Sequence, residues 1–292
     1  MAQLQIDPLT PAIGAAIAGV DLSRPLDAAT LDRIYQALLD HLVIFFRDQA
    51  ITPDQQLAFA AGFGEIDQPH PIYPHVASAP QVVLLENGPD SPPDTNDWHT
   101  DLTFYERPPF ASVLHAQSVP RTGGDTLWAS MYAAYDALPG EVKRQVEGLS
   151  ALHEMGDFRN GFLAEEQGVE ALRQAMARIG CAVHPVVRRH PVTGRPFLYV
   201  NRSFTSHIVG QRKPESDRLL AYLFDHIDRP EFQVRFRWTP NALAFWDNRV
   251  TQHYAVADYL PQPRRMHRVT LLEDRRAGAE GLRPSESSPD AR

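Results

Sequence analysis

The chain has 292 residues, 43% hydrophobic and 22% charged, a composition that suits a globular protein with ample material for a large core. Its 28 Lys and Arg against 36 Asp and Glu give a formal charge of −8, which argues against nucleic acid or an anionic membrane as partner, because both are bound largely through basic patches. A single cysteine, Cys181, excludes an intramolecular disulfide and any multi-cysteine metal cluster. With neither a secretory leader pattern nor an apolar run of about 18 residues, the expectation is a cytoplasmic protein.

No internal repeat or long linker divides the chain. Residues 1–274 read as one domain, and the polar, Pro-, Ser- and Gly-rich stretch 275–292 as a disordered tail. In chain order, Leu31, Ile34, Leu38 and Leu39 share one face of a predicted helix over 28–41, followed by a strand at 42–47. Thr52 as N-cap, Pro53 at the first helical position and Gln55 closing a capping box predict a helix at 53–62. Strands follow at 81–86, 97–104, 111–119 and 124–129, then a helix at 165–179 and strands at 182–189 and 196–201. Leu219, Leu220, Leu223, Phe224 and Ile227 mark a helix over 215–228, and strands at 232–238, 242–247 and 265–273 complete the chain. Ten short strands without regular helix alternation predict a mainly β, α+β architecture: an antiparallel barrel or sandwich with flanking helices, a jelly roll being one candidate.

Twelve His and 22 Asp in this length should produce about one His-x-Asp by chance. The chain has two. His226 and Asp228 end a predicted helix, where side chains two apart diverge by about 200° and cannot share an ion. His99 and Asp101 lie in a segment of strand character, where side chains two apart project from one face. His253, between the apolar strand and the last one, is the candidate third ligand of a two-histidine, one-carboxylate triad, a set typical of non-haem Fe(II) oxygenases. The competing reading is that each is a surface or hydrogen-bonded core histidine; a zinc hydrolase or a non-catalytic jelly-roll binding protein are the rivals from other classes. Along the last strand Arg264, Met266 and Arg268 share a face. If that face is interior, two buried guanidiniums call for anions; if it is solvent-facing, Arg265 and His267 lie inside instead.

Beyond these patterns, VIFFRDQAITPDQQ (43–56), HPIYPH (70–75), NDWHTDLTF (96–104), TGGDTLWAS (122–130), HPVVRRHPVTG (184–194) and WDNRVTQHYAVADYLPQPRRMHRVTLL (246–272) resemble the taurine dioxygenase family of Fe(II)- and 2-oxoglutarate-dependent enzymes. The resemblance runs from Ile6 to Asp274. It implies a double-stranded β-helix, the cupin-like jelly roll with flanking helices. It also implies His99, Asp101 and His253 as catalytic iron ligands, and Thr126 and Arg264 as the contacts of 2-oxoglutarate. His70, Arg268 and the backbone at Leu102 would bind a sulfonate, with Tyr73 and Phe204 lining its pocket. Taurine-specific members resemble one another in an Asn and a Ser serving the substrate's amine; this chain has Thr95 and Gly161 there, the latter before Phe162, and Arg202-Ser203 where Glu-Gly is usual. The implied reaction consumes O2 and 2-oxoglutarate, hydroxylates a small organosulfur anion such as taurine or a close analogue, and releases sulfite, an aldehyde, succinate and CO2. An alkylsulfatase-type reaction is the alternative, and a homo-oligomer, dimer or tetramer, is expected.

Overall fold

The computed structural model describes residues 4–69, 73–93, 97–156, 169–170, 173–174, 176 and 180–277. The N-terminal half runs β1 (Gln5–Pro8), β2 (Ala15–Ala18), α1 (Ala28–His41), β3 (Val43–Phe46), α2 (Pro53–Ala61), β4 (Gly64–Ile66), β5 (His75–Val76), β6 (Ala79–Asn87), β7 (Ala111–Ser118) and β8 (Thr126–Ser130). Then come α3 (Met131–Asp136), α4 (Gly140–Val146), β9 (Ser150–His153), β10 (Ala182–Pro185), β11 (Val187–Arg189), β12 (Pro196–Leu198), β13 (Thr205–Ile208), α5 (Lys213–Ile227), β14 (Gln233–Phe236), β15 (Leu243–Asp247), β16 (Thr251–Ala255) and β17 (Arg264–Asp274).

A nine-stranded sheet, β1-β2-β3-β15-β7-β17-β6-β5 with β4 beside β17, faces a three-stranded sheet, β14-β8-β16. Alternation within the large sheet builds two cores. Val43, Phe45, Leu114, Ala244, Trp246 and Met266 join the inter-sheet core, where Trp128, Val234 and Phe236 of the small sheet meet them. Their neighbours Ile44, Phe46, Val113, Phe245, Val269 and Leu271 point outward and pack with Ile34, Leu38 and Phe59 of α1 and α2. Both faces are covered, so strands such as Leu243–Asp247 are buried at every position. This is the jelly-roll architecture with flanking helices expected from sequence.

The helix signals in the sequence match the folded chain closely. Asp27 Oδ1 accepts the Thr30 N–H (2.7 Å) to cap α1. At α2 the capping box is complete: Thr52 Oγ1 accepts from Gln55 N (3.3 Å), and Thr52 N donates to Gln55 Oε1 (2.8 Å). Helix α5 begins at Lys213, earlier than the predicted 215, with Pro214 in its first turn. Of the segment 165–179, only residues 169, 170, 173, 174 and 176 are described, all helical. Two expectations need correction. Residues 97–104 do not form a strand: a single bridge, His99 to His253, is followed by a turn. Residues 182–189 split into β10 and β11 at the buried Val186. At the C-terminus, Arg275 N donates to Phe63 O (3.0 Å), and Arg276 bonds Gly62 O (2.8 Å) and pairs with Asp32. The rest of the predicted tail, from residue 278, lies outside the described residues. Among the described residues no helix is long and apolar enough to cross a membrane.

The outward face of β17 carries a pH-dependent liability. Burial, then the charges of His115 and Arg265, push His267 down to about 4 from 6.5. The folded protein thus resists a proton that the unfolded chain accepts readily. His267 costs no stability above about pH 6.5, and its penalty grows as pH falls from there toward 4. Thermal melts should show Tm falling through that window, and His267→Gln should flatten the slope; an unchanged slope would move the liability elsewhere.

Candidate metal and anion site

His99, Asp101 and His253 meet between the two sheets. His253 is fixed by β16, and His99 is fixed to it by a reciprocal main-chain pair: His99 N donates to His253 O (3.1 Å) and His253 N to His99 O (2.8 Å). Thr100 Oγ1 donates to Thr251 O (2.8 Å), adding a third tie to β16. Asp101 does not reach His99 through strand periodicity. The chain turns there, with Leu102 at φ 55° and Tyr105 N donating to Leu102 O (3.1 Å). That left-handed conformation is uncommon for a branched side chain. The turn is held from the β15–β16 connection: Asn248 Oδ1 accepts the Asp101 N–H (3.0 Å), while Asn248 Nδ2 donates to Asp101 O (3.0 Å) and Pro109 O (3.1 Å).

The result is convergent. His99 Nε2 and His253 Nε2 lie 3.6 and 3.8 Å from Asp101 Oδ1, and the three donor atoms fall within 4.8 Å of one another, a set able to hold a metal ion. His99 Nδ1 stands 2.8 Å from Asp97 O. Since that carbonyl can only accept, Nδ1 carries a proton, and Nε2 is the ring nitrogen that faces the carboxylate. Burial alone would raise the Asp101 carboxyl, but the Arg268 guanidinium beside it outweighs this and holds the group well below the usual carboxylate range. Burial, followed by the neighbouring His99, drives His253 down to about 3, so its imidazole is neutral at pH 7. An ionised carboxylate and neutral imidazoles are the protonation states a divalent ion requires. The other His-x-Asp separates as predicted: His226 Nε2 bonds Ala134 O (2.8 Å), and Asp228 pairs with Arg202 (2.9 Å) at the end of α5.

A cavity of about 240 Å³ opens beside the triad, lined by Arg264 and Arg268 of β17. Arg264 and Arg268 do face inward with Met266, while Arg265 turns out to pair with Glu86 (2.5 Å). Arg264 is 6% exposed, and its Nε has no partner among the described residues. Burial lowers its pKa, and Tyr259 and Asp125 partly offset this. Next to it, Trp238 Nε1 donates to Thr126 Oγ1 (3.0 Å), which leaves the threonine proton to donate elsewhere. Gly124, at φ 70°, admits this packing: a Cβ there would sit 3.2 Å from the Tyr259 ring and 3.4 Å from Arg264 Cδ. Arg268 lies four residues along, about 13 Å by strand rise. Its Nη1 is 3.6 Å from Asp101 Oδ1, its Nε lacks a partner among the described residues, and its guanidinium sits 5.8 Å from the Tyr73 ring.

Tyr73, Leu102 and Phe204 line the same cavity, joined by Leu84, Pro92 and Pro93. His70, Thr95, Gly161 and Phe162 lie outside the described residues. Sequence reasoning missed Asn248 and Trp238. The signal for Asn248 was available, an Asp-Asn-Arg turn between the apolar Leu243–Trp246 and His253; nothing local marks Trp238 as the partner of a threonine more than a hundred residues earlier.

Comparison with known proteins converges on one group. Residues 5–270 match the sequence model described as taurine catabolism dioxygenase TauD, TfdA family. The chain is 39% identical over 284 residues to an alpha-ketoglutarate-dependent sulfate ester dioxygenase of Pseudomonas putida, covering 96% of this chain and 93% of that one. An alkylsulfatase of Acinetobacter baylyi is 37% identical over 294 residues, 98% and 90% of the two chains. The crystal structure of a taurine dioxygenase from Burkholderia xenovorans superposes with a TM-score of 0.80 at 38% identity, over 93% of this chain and 90% of that one. With the match spanning nearly all the described residues, the chain belongs to the TauD, TfdA family of dioxygenases.

Proposed function

We propose that the protein is an Fe(II)- and 2-oxoglutarate-dependent dioxygenase that oxidises a small aliphatic sulfate ester or sulfonate. The observation that carries this reading is the pairing, in one cavity, of a His-Asp-His triad with two inward guanidiniums whose Nε atoms have no partner among the described residues. A buried guanidinium is stable only beside an anion, and the reaction supplies two: the cosubstrate's distal carboxylate and the substrate's sulfur-borne charge. His99, Asp101 and His253 fit Fe(II), since two neutral imidazoles and one carboxylate leave positions open for other ligands. Bound iron would supply the activation of O2, coupled to oxidative decarboxylation of 2-oxoglutarate to succinate and CO2.

The protein's own residues set position. Arg264 binds the distal carboxylate as a two-pronged donor, and Thr126 adds its hydroxyl proton. Arg268 holds the sulfate or sulfonate near the triad, and Tyr73, Leu102 and Phe204 exclude water from the carbon to be oxidised. One oxygen atom of O2 ends in succinate and the other on that carbon. The hydroxylated product collapses to an aldehyde, expelling sulfite from a sulfonate or sulfate from a sulfate ester.

The non-anionic end of the substrate is apolar in this reading. Leu84, Leu102, Pro92, Pro93 and Phe204 form that wall, and the carboxylate of Glu86 is already paired with Arg265. Among the described residues of that wall, an ammonium would lose water without a free counter-charge. The relatives that act on sulfate esters point the same way. A panel of alkyl sulfates, alkanesulfonates and taurine, scored anaerobically for a shift of the Fe(II)–2-oxoglutarate absorption band and aerobically for sulfate or sulfite release, tests the proposal. Amine-free alkyl compounds are expected to give higher kcat/KM than taurine; strong preference for taurine would overturn the apolar-tail assignment, and no band with any member would overturn the reaction class.

A further inference from the structure

We infer that Asn248 is a positioning residue that fixes the Asp101 carboxylate for the metal. This rests on the reading of His99, Asp101 and His253 as the metal set. Asp101 sits at the start of a turn whose next residue, Leu102, has φ 55°, a conformation that persists only when its surroundings enforce it. Asn248 is the enforcing group. Fully buried, it clamps both main-chain groups of Asp101 with one amide and spends its remaining donor on Pro109 O. Its own N–H is held by Phe110 O (2.9 Å).

The clamp is rigid because its base is. Asp247 accepts from Arg249 Nε (2.8 Å) and pairs with His190 Nε2 (3.0 Å); Arg249 reaches Asp274 Oδ2 (2.8 Å), which also accepts from Tyr35 Oη (2.6 Å). The chain leaves this turn directly into β16, so Asn248 and His253 are registered on one short tract. Asp101 is tied to that tract through Asn248, and His99 through its bridge to His253. The spacing between the carboxylate and the two imidazoles is therefore set by main-chain geometry at the β15–β16 turn, and by Asn248 in particular. The Asp101 side chain itself is held more loosely, by a 3.3 Å bond from Ser112 Oγ and a 3.6 Å ion pair with Arg268.

Removing such an outer hydrogen-bond partner typically weakens metal binding by about 10–100-fold. The test is calorimetric Mn(II) titration of Asn248→Ala, with Tm measured in parallel on metal-free protein. Asn248→Asp, which keeps the shape and the bond accepted from Asp101 N but loses both donors, carries the test if the alanine variant does not fold. Gln56→Met is the structural control: Gln56 Nε2 donates to Val113 O (3.1 Å) and His267 O (3.0 Å) on the far face of the same sheet. The expected result is an Mn(II) dissociation constant raised at least tenfold by the Asn248 substitutions and within twofold of wild type in Gln56→Met, although all lower Tm. If the Asn248 variants lose Tm but bind Mn(II) within twofold of wild type while Asp101→Ala does not bind, the positioning role is overturned and the metal set stands. If wild type itself binds no Mn(II), or Asp101→Ala binds it unimpaired, the metal set fails.

Discussion

Alanine at His99, Asp101 or His253 is expected to abolish Fe(II)-dependent succinate formation, whereas His226→Ala should turn over near the wild-type rate. In the proposed enzyme the three triad groups hold a single ion, so removing any of them would leave two donors and an added open position where Fe(II) is weakly held. Asp101→Ala should be the most severe, because it also strips the carboxylate that pairs with Arg268 (3.6 Å). The opposite control is informative because His226 is also a buried His two residues before an Asp. Its Nε2 bonds Ala134 O rather than facing another donor, so its loss costs about 1 kcal/mol of stability and no chemistry. Succinate assays with circular dichroism on each variant decide the matter. Full activity in any triad variant would break the assignment, and a folded but inactive His226→Ala would implicate the second motif.

Much of this architecture is written in local pattern. The amphipathic spacing at 28–41 and 215–228, and the Thr52–Gln55 box, specify helices because their signals are contained in a few consecutive residues. The alternation of Arg264, Met266 and Arg268 likewise placed two guanidiniums on the inner face. Strands failed where their buried positions are polar. Thr251–Ala255 lacks an apolar alternation, yet it is β16: His253 faces the cavity, and Gln252 on the opposite side is buried and donates to Val200 O. The segment 97–104 failed in the reverse sense: its alternation mimics a strand, but the Asp101 N–H is taken by a side chain 147 residues away rather than by a neighbouring strand. The convergence of His99 and Asp101 was thus anticipated by way of the wrong local geometry. Partnerships of this kind, Asn248 with Asp101 and Trp238 with Thr126, span more than a hundred residues and have no local periodicity to announce them.

The two arginines of β17 should separate kinetically. Arg264→Lys retains a positive charge but replaces a planar fork by a point donor, and the loss of one charge-assisted bond, about 1.5–3 kcal/mol, corresponds to roughly 10–150-fold. That loss should fall on the KM for 2-oxoglutarate, with kcat and the KM of the organosulfur substrate close to wild type, because Arg264 stands with Thr126 and Trp238 rather than beside Asp101. Arg268→Ala removes a largely buried partner of an anion, a truncation that typically costs about 2–5 kcal/mol. Its effect should appear in the substrate's kcat/KM. Decarboxylation of 2-oxoglutarate should persist, but uncoupled: succinate forms while sulfate or sulfite release lags behind it. Arg268 also helps hold Asp101 ionised, so Arg268→Lys is the needed companion; it keeps a charge for Asp101 and should restore metal-dependent decarboxylation more fully than substrate oxidation. Measuring succinate and the sulfur product in the same reaction makes the distinction direct. A rise in 2-oxoglutarate KM for Arg268→Ala, with none for Arg264→Lys, would mean that the two anions occupy the opposite ends of the cavity.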